Sequence, residues 1–265
     1  MQKYRHIIGI GIQNNLTYRV NFLARTLFGF IPLLATLSLW RTVYAGKGEL
    51  AGYTLGQMIS YYLMVAIVDM FTAVSEDDWQ IAADIKDGNI SQFLLKPINY
   101  LGFRLCLFSA GRVIYTSVAL VPVLVFIVCQ HQNFVLPANF LTLAYFALSL
   151  ALAALIQFFM SFTMALLAFW VTEVSTFIFI LYAFEYIASG HVFPLDILPA
   201  GVHQVLALTP FPYMLSFPIG IYLGKITGPA LAQGFLVQGL WVLLAFGVAQ
   251  LMWRRGIKKY SAVGG

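Results

Sequence analysis

The chain has 265 residues, of which 61% belong to the hydrophobic set AVILMFWYC and only 9% are Asp, Glu, Lys or Arg. A soluble domain needs more charge to cover its surface, so this composition excludes a soluble globular protein and indicates a membrane protein. The formal charge of +5 does not indicate nucleic-acid binding, because the basic residues are scattered between apolar runs and form no continuous stripe.

Six apolar segments, each bounded by charged or turn residues, predict six membrane-spanning helices. They lie at residues 22–39, 52–74, 103–129, 140–162, 174–188 and 232–253. The fourth continues in apolar character to Trp170, and the fifth is short. The predicted fold is therefore an all-α integral membrane protein, with one transmembrane domain over residues 1–265.

The basic residues predict the orientation, because Lys and Arg accumulate in cytoplasmic segments. With both termini inside, 12 of the 15 Lys and Arg residues lie on the inner side. Only Arg41, Lys47 and Lys225 fall outside. We therefore expect both termini to be cytoplasmic.

Residues 1–20 precede the first span and contain apolar side chains spaced for one helical face. They are Tyr4, Ile7, Ile8 and Leu16. An amphipathic helix along the inner membrane surface is the expected structure. No small-residue cleavage site follows, so we expect no removed signal peptide.

The inner loop at residues 75–97 is the most charged stretch of the chain. Ser75 and Asp78 form a predicted capping box, so a helix should start there, and the Asp87-Gly88-Asn89 cluster should stop it before a second short turn of helix. Such a helix would present acidic and apolar side chains to a soluble partner. The residues expected at this docking surface are Glu76, Asp77, Asp78, Trp79, Asp84 and Ile85.

The outer segment at residues 190–225 is too apolar for an ordinary exposed loop, yet its five prolines forbid one straight span. Short re-entrant helices that dip into the outer leaflet satisfy both facts, provided that protein covers any irregular backbone.

Two acids, Asp69 and Glu185, fall inside predicted spans. Ionisable groups in a membrane are energetically costly, so they suggest a substrate pathway, with Tyr182 nearby. The alternative is structural, in which either acid is protonated or tied to a tyrosine such as Tyr182 or Tyr186.

Glu173 lies in the short inner turn between the fourth and fifth spans. It either caps a helix together with Thr172 or provides a second contact for the cytosolic partner.

Several chemistries are disfavoured by the motifs. The nearest text to a nucleotide-binding loop, GIYLGKIT at residues 220–227, has the wrong glycine spacing and Ile226 after the lysine, so this chain should not hydrolyse ATP. The four histidines show no metal-ligand spacing, and none lies in a predicted span, which disfavours a metal site and a serine–histidine hydrolase.

Several motifs together resemble the permeases of type-2 ABC transporters, in particular bacterial export permeases. They are YRVNFL at residues 18–23, DIKDGNISQFLLKPI at 84–98, FPLDILP at 193–199, LTPFPY at 208–213 and the basic tail WRRGIKKYSAVGG at 253–265. Each motif alone is weak, but their order and spacing across the chain are specific.

The resemblance implies a six-span subunit of the bacterial cytoplasmic membrane, with both termini inside. It would pair with a second permease, identical or a sister chain, and would contact lipid and two cytosolic ATPase subunits, which hold ATP and Mg²⁺; the chain itself would carry no cofactor. Residues 1–20 would form the connecting helix and 75–95 the coupling helix, and an amphipathic or hydrophobic substrate would pass along the dimer interface. The cargo and the direction of transport stay open.

Two other functions remain open from the sequence. An ion-coupled secondary transporter would use Asp69 or Glu185 as its proton site. A membrane scaffold or assembly factor would carry no substrate at all.

Overall fold

The computed structural model describes residues 19–72, 77–95 and 97–260, without the side chains of residues 19–27, 29, 77 and 78. The amphipathic segment predicted at residues 1–20 lies almost entirely outside the described residues. So does the predicted capping box, since Ser75 and the Asp78 side chain are not described. Two further predicted docking groups, Glu76 and the Asp77 side chain, also lie outside the described residues.

The described residues form eleven α-helices, a β-hairpin and two 3₁₀ turns. The helices are α1 (Arg19–Val43), α2 (Leu55–Thr72), α3 (Asp77–Lys86), α4 (Ile90–Leu94), α5 (Tyr100–Cys129), α6 (Phe140–Ala165), α7 (Ser175–Ala188), α8 (Ala200–Ala207), α9 (Phe211–Met214), α10 (Ser216–Tyr222) and α11 (Gly228–Lys259). The hairpin pairs β1 (Glu49–Leu50) with β2 (Tyr53–Thr54), and the 3₁₀ turns are Leu166–Phe169 and Leu195–Ile197.

Four of these helices are long and apolar enough to cross a membrane: α2, α5, α6 with its following 3₁₀ turn, and α11. Helix α1 has 25 residues, but α7 has only 14 and is about 21 Å long, shorter than the roughly 30 Å hydrocarbon core of a bilayer. The structure thus confirms a helical membrane architecture, and six complete spans stay a prediction.

The hairpin before α2 differs from the sequence prediction, which began the second span at residue 52. Ala51 and Gly52 both have positive φ angles, of 51° and 78°, as a tight two-residue hairpin turn requires. Helix α2 therefore begins only at Leu55.

Helix α6 is the central element of the bundle. It packs against α11, α10, α2, α3, α9 and α7. Its start is fixed by Asn139, whose side-chain oxygen accepts from the Thr142 amide at 2.8 Å. Residues of α6 therefore contribute to the packing at both ends of the bundle.

Two apolar cores lie at opposite ends of the bundle. At the end that carries the β-hairpin, here the hairpin end, α2 and α6 pack around residues 215–223. At the end that carries α3 and α4, here the α3 end, Ile81, Ile85, Tyr100 and Phe162 pack together with Trp253. These two ends provide the two candidate functional regions.

The segment at residues 190–225 forms several short helices, as its prolines predicted. It starts deep in the bundle, because the Tyr61 and Tyr62 hydroxyls on α2 donate to the carbonyl oxygens of Gly190 and Val192, each at 2.7 Å. It ends beside the β-hairpin, where Lys225 donates to the Gly52 carbonyl at 2.9 Å. Residues 190–225 therefore run from about the middle of α2 to the hairpin end.

Candidate functional site

Helix α3 lies against the membrane helices rather than projecting from them. Its Ile81 and Ile85 are 2% and 5% exposed and contribute to the apolar core at the α3 end. The expectation that Ile85 faces the cytosol is therefore wrong. The side chain is buried because α3 folds back onto α6 and its 3₁₀ turn.

Asp84 is also directed inward, toward the start of α5. Its carboxylate forms a salt bridge with the guanidinium of Arg104, whose side chain is only 3% exposed. Arg104 also donates through Nε to the Tyr100 hydroxyl at 3.0 Å, and Tyr100 donates to Asp84 at 3.3 Å. A buried pair with extra hydrogen bonds of this kind ties α3 firmly to α5.

The turn between α3 and α4 is also bound by the C-terminal end of helix α11. The Tyr260 hydroxyl, just past α11, donates to the Gly88 carbonyl at 2.9 Å. Gly88 itself has φ +78°, which ends α3 where the Asp87-Gly88-Asn89 cluster predicted. The two short helices are thus fixed to both α5 and α11.

The outward side of these helices is apolar and charged. Trp79 is 44% exposed, Leu94 50% and Leu95 89%, and Lys86 and Asp87 are exposed beside them. We call these five residues the docking surface. Large apolar side chains grouped with charges at the end of a membrane bundle are typical of a protein contact.

Glu173 lies at the same end, in the turn before α7. Its carboxylate accepts from the amide of Ser175 at 2.9 Å and from the Ser175 hydroxyl. These hydrogen bonds, with a smaller contribution from nearby Lys86, lower the pKa of Glu173. Glu173 therefore caps the start of α7 by accepting from Ser175, and the accompanying role of Thr172 stays a prediction.

Asp69 has a partner that the sequence did not suggest. Its carboxylate lies 2.9 Å from Nε2 of His191, and the Asp69 side chain is 37% exposed while that of His191 is 13% exposed. The His191 ring stacks on Tyr186 with centroids 4.8 Å apart. The pair joins α2 to the turn after α7 and leaves part of one carboxylate accessible.

A serine completes this chain of hydrogen bonds, since Ser189 Oγ lies 2.7 Å from Nδ1 of His191. The neutral tautomer that fits accepts from Ser189 and donates to Asp69. A Ser–His–Asp order resembles a hydrolytic triad, but Ser189 is 0% exposed and cannot reach a substrate in this conformation. Ser189 and Asp69 instead fix the orientation of His191.

Glu185 and Tyr182 lie on α7 one turn apart. Glu185 is buried and close enough to His191 to interact with it electrostatically, whereas the Tyr182 hydroxyl is 3.1 Å from Ser161 Oγ on α6. The structure thus brings Asp69 and Glu185 together around His191 and directs Tyr182 toward α6.

Three features of these regions escaped the sequence analysis. The sequence predicts an outer loop at His191, a topological role for Arg104 and only a short helix at Leu94 and Leu95. The leucine pair could have been found from the sequence. Leu94 and Leu95 are adjacent at the end of a charged loop, where a helix of only five residues offers little surface to bury both side chains. The other two depend on contacts between distant parts of the chain.

Comparison with known proteins gives one family match. A family model described as ABC-2 family transporter protein matches residues 30–264. No curated protein matches the chain. The matched range contains both the docking surface and the Asp69–His191 pair.

Proposed function

The chain belongs to the ABC-2 transporter family, and on that premise we propose that it is the permease subunit of an ATP-driven exporter whose ATPase is a separate polypeptide. The α3 end would face the cytosol, as the distribution of basic residues predicts. The cargo would be amphipathic or hydrophobic, and a second permease, identical or a sister chain, would complete the transporter.

The observation that carries this proposal is the docking surface. It presents Trp79, Leu94 and Leu95 outward while the same two helices are held to the bundle by Asp84, Arg104 and Tyr260. A surface that is exposed on one side and rigidly anchored on the other suits the transmission of force.

The mechanism follows from that anchoring. Closure of an ATPase dimer would push on α3 and α4, and the Asp84–Arg104 bridge would pass the displacement to α5 while the buried isoleucines pass it to α6. The two resulting states must bind the cargo with different affinity for transport to occur. Asp69, reachable on α2 beside α7, is the group we assign to that difference, with Glu185 and Tyr182 along the same pathway.

Co-purification tests the proposal most directly. The tagged chain, extracted in detergent from its host, should bring down a soluble ATPase, and a second permease in the same preparation would identify a heterodimer. Repeated recovery of the chain alone, under conditions that preserve other ABC complexes, would contradict the ATP-driven model.

Cross-linking then tests the location of the contact. In a background with Cys106 and Cys129 replaced by serine, Leu95→Cys should cross-link to the ATPase. Leu136→Cys is the matched control, because Leu136 is 74% exposed but lies beyond α5, near the hairpin end. Equal cross-linking of the two variants would contradict the assigned docking surface.

The Asp69–His191 pair favours one further candidate, an ion-coupled carrier with this pair as the proton site. The purified chain in vesicles would then accumulate a fluorescent amphipathic dye when a proton gradient alone is imposed, and Asp69→Asn would abolish the uptake. Gradient-driven uptake without any ATPase would replace the first proposal.

A further inference from the structure

A cavity of about 480 Å³ lies at the hairpin end, between β2, the start of α2 and residues 195–226. Its volume is within the range of small-molecule sites. Apolar and aromatic side chains make up much of the wall, among them Leu195, Tyr213, Phe217 and Ile226. The cavity wall contains neither Asp69 nor His191, and no residue of the docking surface. It does contain Tyr61 and Ser216, which donate to the carbonyls of Gly190 and Ser189 beside His191.

Opposite charges line this cavity on either side of one buried tyrosine. The Tyr53 hydroxyl donates to Oδ2 of Asp196 at 2.7 Å, and the Lys225 ammonium lies 3.2 Å from the centre of the Tyr53 ring. Tyr53 is only 2% exposed, whereas Asp196 is exposed and Lys225 is half-buried, so a ligand can reach both charged groups. No salt bridge joins Asp196 to Lys225, so each charge can still meet a ligand.

Asp196 and Lys225 each make one hydrogen bond within the protein and keep further hydrogen-bonding capacity for a ligand. Lys225 donates to the Gly52 carbonyl at 2.9 Å, which leaves other N–H groups for an anion. Burial lowers the pKa of Lys225, although Asp196 and Glu49 act in the opposite direction. A desolvated ammonium gains more from an adjacent anion than a solvated one does.

Both charges lie beside an apolar wall at one end of the membrane bundle, where lipid headgroups meet protein. We propose that the cavity binds the zwitterionic headgroup of phosphatidylethanolamine from the adjoining leaflet, with the phosphate at Lys225 and the ammonium at Asp196. The acyl chains would follow the apolar wall toward Phe217 and Ile226.

This ligand chemistry predicts a specific order of preference among lipids. Phosphatidylglycerol offers a phosphate but leaves Asp196 without a cation. Phosphatidylcholine offers a cation without N–H groups, so it cannot donate to the carboxylate. Phosphatidylethanolamine alone of the three offers Asp196 a cation that can also donate hydrogen bonds to the carboxylate.

Native mass spectrometry of the full-length chain tests the proposal. After delipidation in detergent, each of the three lipids is added in turn, and bound lipid is counted per chain. We expect retention of phosphatidylethanolamine over the other two by at least about fivefold, the scale of one charge-assisted hydrogen bond. Asp196→Asn keeps an acceptor for Tyr53 but removes the charge, and it should abolish the preference over phosphatidylglycerol.

A matched control comes from the same end of the bundle. Lys47→Met removes an exposed charge just before β1 that does not line the cavity, and it should leave the preference intact. Lys225→Met should weaken binding of phosphatidylethanolamine and phosphatidylglycerol alike.

Three outcomes would overturn the assignment. The first is equal retention of all three lipids, and the second is an equal effect of Asp196→Asn and Lys47→Met on the preference. The third is binding of soluble glycerophosphoethanolamine by a chain that retains no phospholipid. The last would identify a free polar zwitterion as the ligand and not a membrane lipid.

Discussion

Asp84 and Asp69 are both paired with a basic side chain, but the two pairs differ in exposure. At the α3 end, Asp84 meets an Arg104 that is 3% exposed, inside a network that Tyr100 completes. In the bundle, Asp69 meets His191 while 37% of its own side chain stays accessible. One pair is sealed by protein, and the other is open on one side.

The difference separates an anchoring role from a pathway role. A sealed ion pair contributes by holding two helices in one arrangement, and removal of one partner leaves a buried charge. An open acid in a membrane protein can meet water, an ion or cargo, and its removal should change transport more than folding. Both residues were candidates for function from the sequence, but only Asp69 has the exposure that a pathway role requires.

The largest expected effect is on the sealed pair. Asp84→Lys should lower the free energy of unfolding by about 3–5 kcal/mol, because it leaves the buried Arg104 facing a second cation. Thermal unfolding of the purified chain in detergent, followed by tryptophan fluorescence, measures the change. The double variant Asp84→Arg with Arg104→Asp should recover part of the loss.

Asp87→Lys is the control for that experiment, since Asp87 is exposed on the same loop. It should leave stability within about 0.5 kcal/mol of wild type. If Asp84→Lys were as stable as this control, Asp84 would be free for docking and the anchoring role would be wrong.

A second test addresses the packing beneath the docking surface. Gly256 on α11 faces Phe169, and a Cβ atom there would lie 2.2 Å from the ring. Gly256→Ala should therefore destabilise the chain by about 1–3 kcal/mol, as overpacking in a tight core does.

Gly247→Ala on the same helix is its control, because nothing lies within 4 Å of the added atom. Gly247→Ala should cause no loss of stability, as alanine favours helix over glycine. Equal unfolding temperatures for the two variants would show that the packing at the α3 end adapts to an added methyl group. The α3 end would then not be the rigid anchor described above.

Substitutions in the Asp69–His191 pair should affect transport more than stability. Asp69→Asn should reduce dye efflux by the reconstituted transporter by at least about tenfold while changing stability by less than about 1 kcal/mol, because asparagine keeps an oxygen that can accept from His191. His191→Gln should give a similar loss, and the double variant should be no worse than either single one if the two residues act as a unit. Wild-type efflux by Asp69→Asn at equal expression would exclude the pathway role.

The smallest effect is expected at Glu173. Hydrogen bonds from Ser175 lower its pKa below the ordinary value of 4.5, so its contribution to stability is present above that value and is lost as the pH falls through the lowered pKa. Glu173→Gln should lower the unfolding temperature by less than about 2 °C near pH 7, and by progressively less as the pH falls through the lowered pKa of Glu173. A large loss of ATPase coupling in this variant would instead indicate contact with the partner.

The sequence predicts four of the membrane helices well, because long apolar runs are the direct signature of lipid contact. The break at residues 87–89 and the short helices at 190–225 also follow from local signals, namely glycine, asparagine and proline. The sequence does not predict which face of the α3 helix packs against the bundle. Ile85 was expected outward, and only the packing of α3 on α6 shows that it is inward.

The pairs themselves depend on contacts across the chain. Arg104 lies 20 residues beyond Asp84, on the next helix, and His191 lies 122 residues beyond Asp69. The second pairing exists because α7 is only 14 residues long and the chain turns at Gly190 inside the bundle. Hydropathy marks α7 as short, but it does not give the depth at which the following residues lie.

The deep start of residues 190–225 has a consequence for biogenesis. The hydroxyls of Tyr61 and Tyr62, the Asp69 carboxylate and the Gly52 carbonyl, which bind this segment, all precede it in the chain. A ribosome has therefore delivered these partners to the membrane before it makes the segment. We expect the segment to dock onto them during synthesis, so that its backbone N–H and C=O groups are not exposed to lipid without a hydrogen-bond partner.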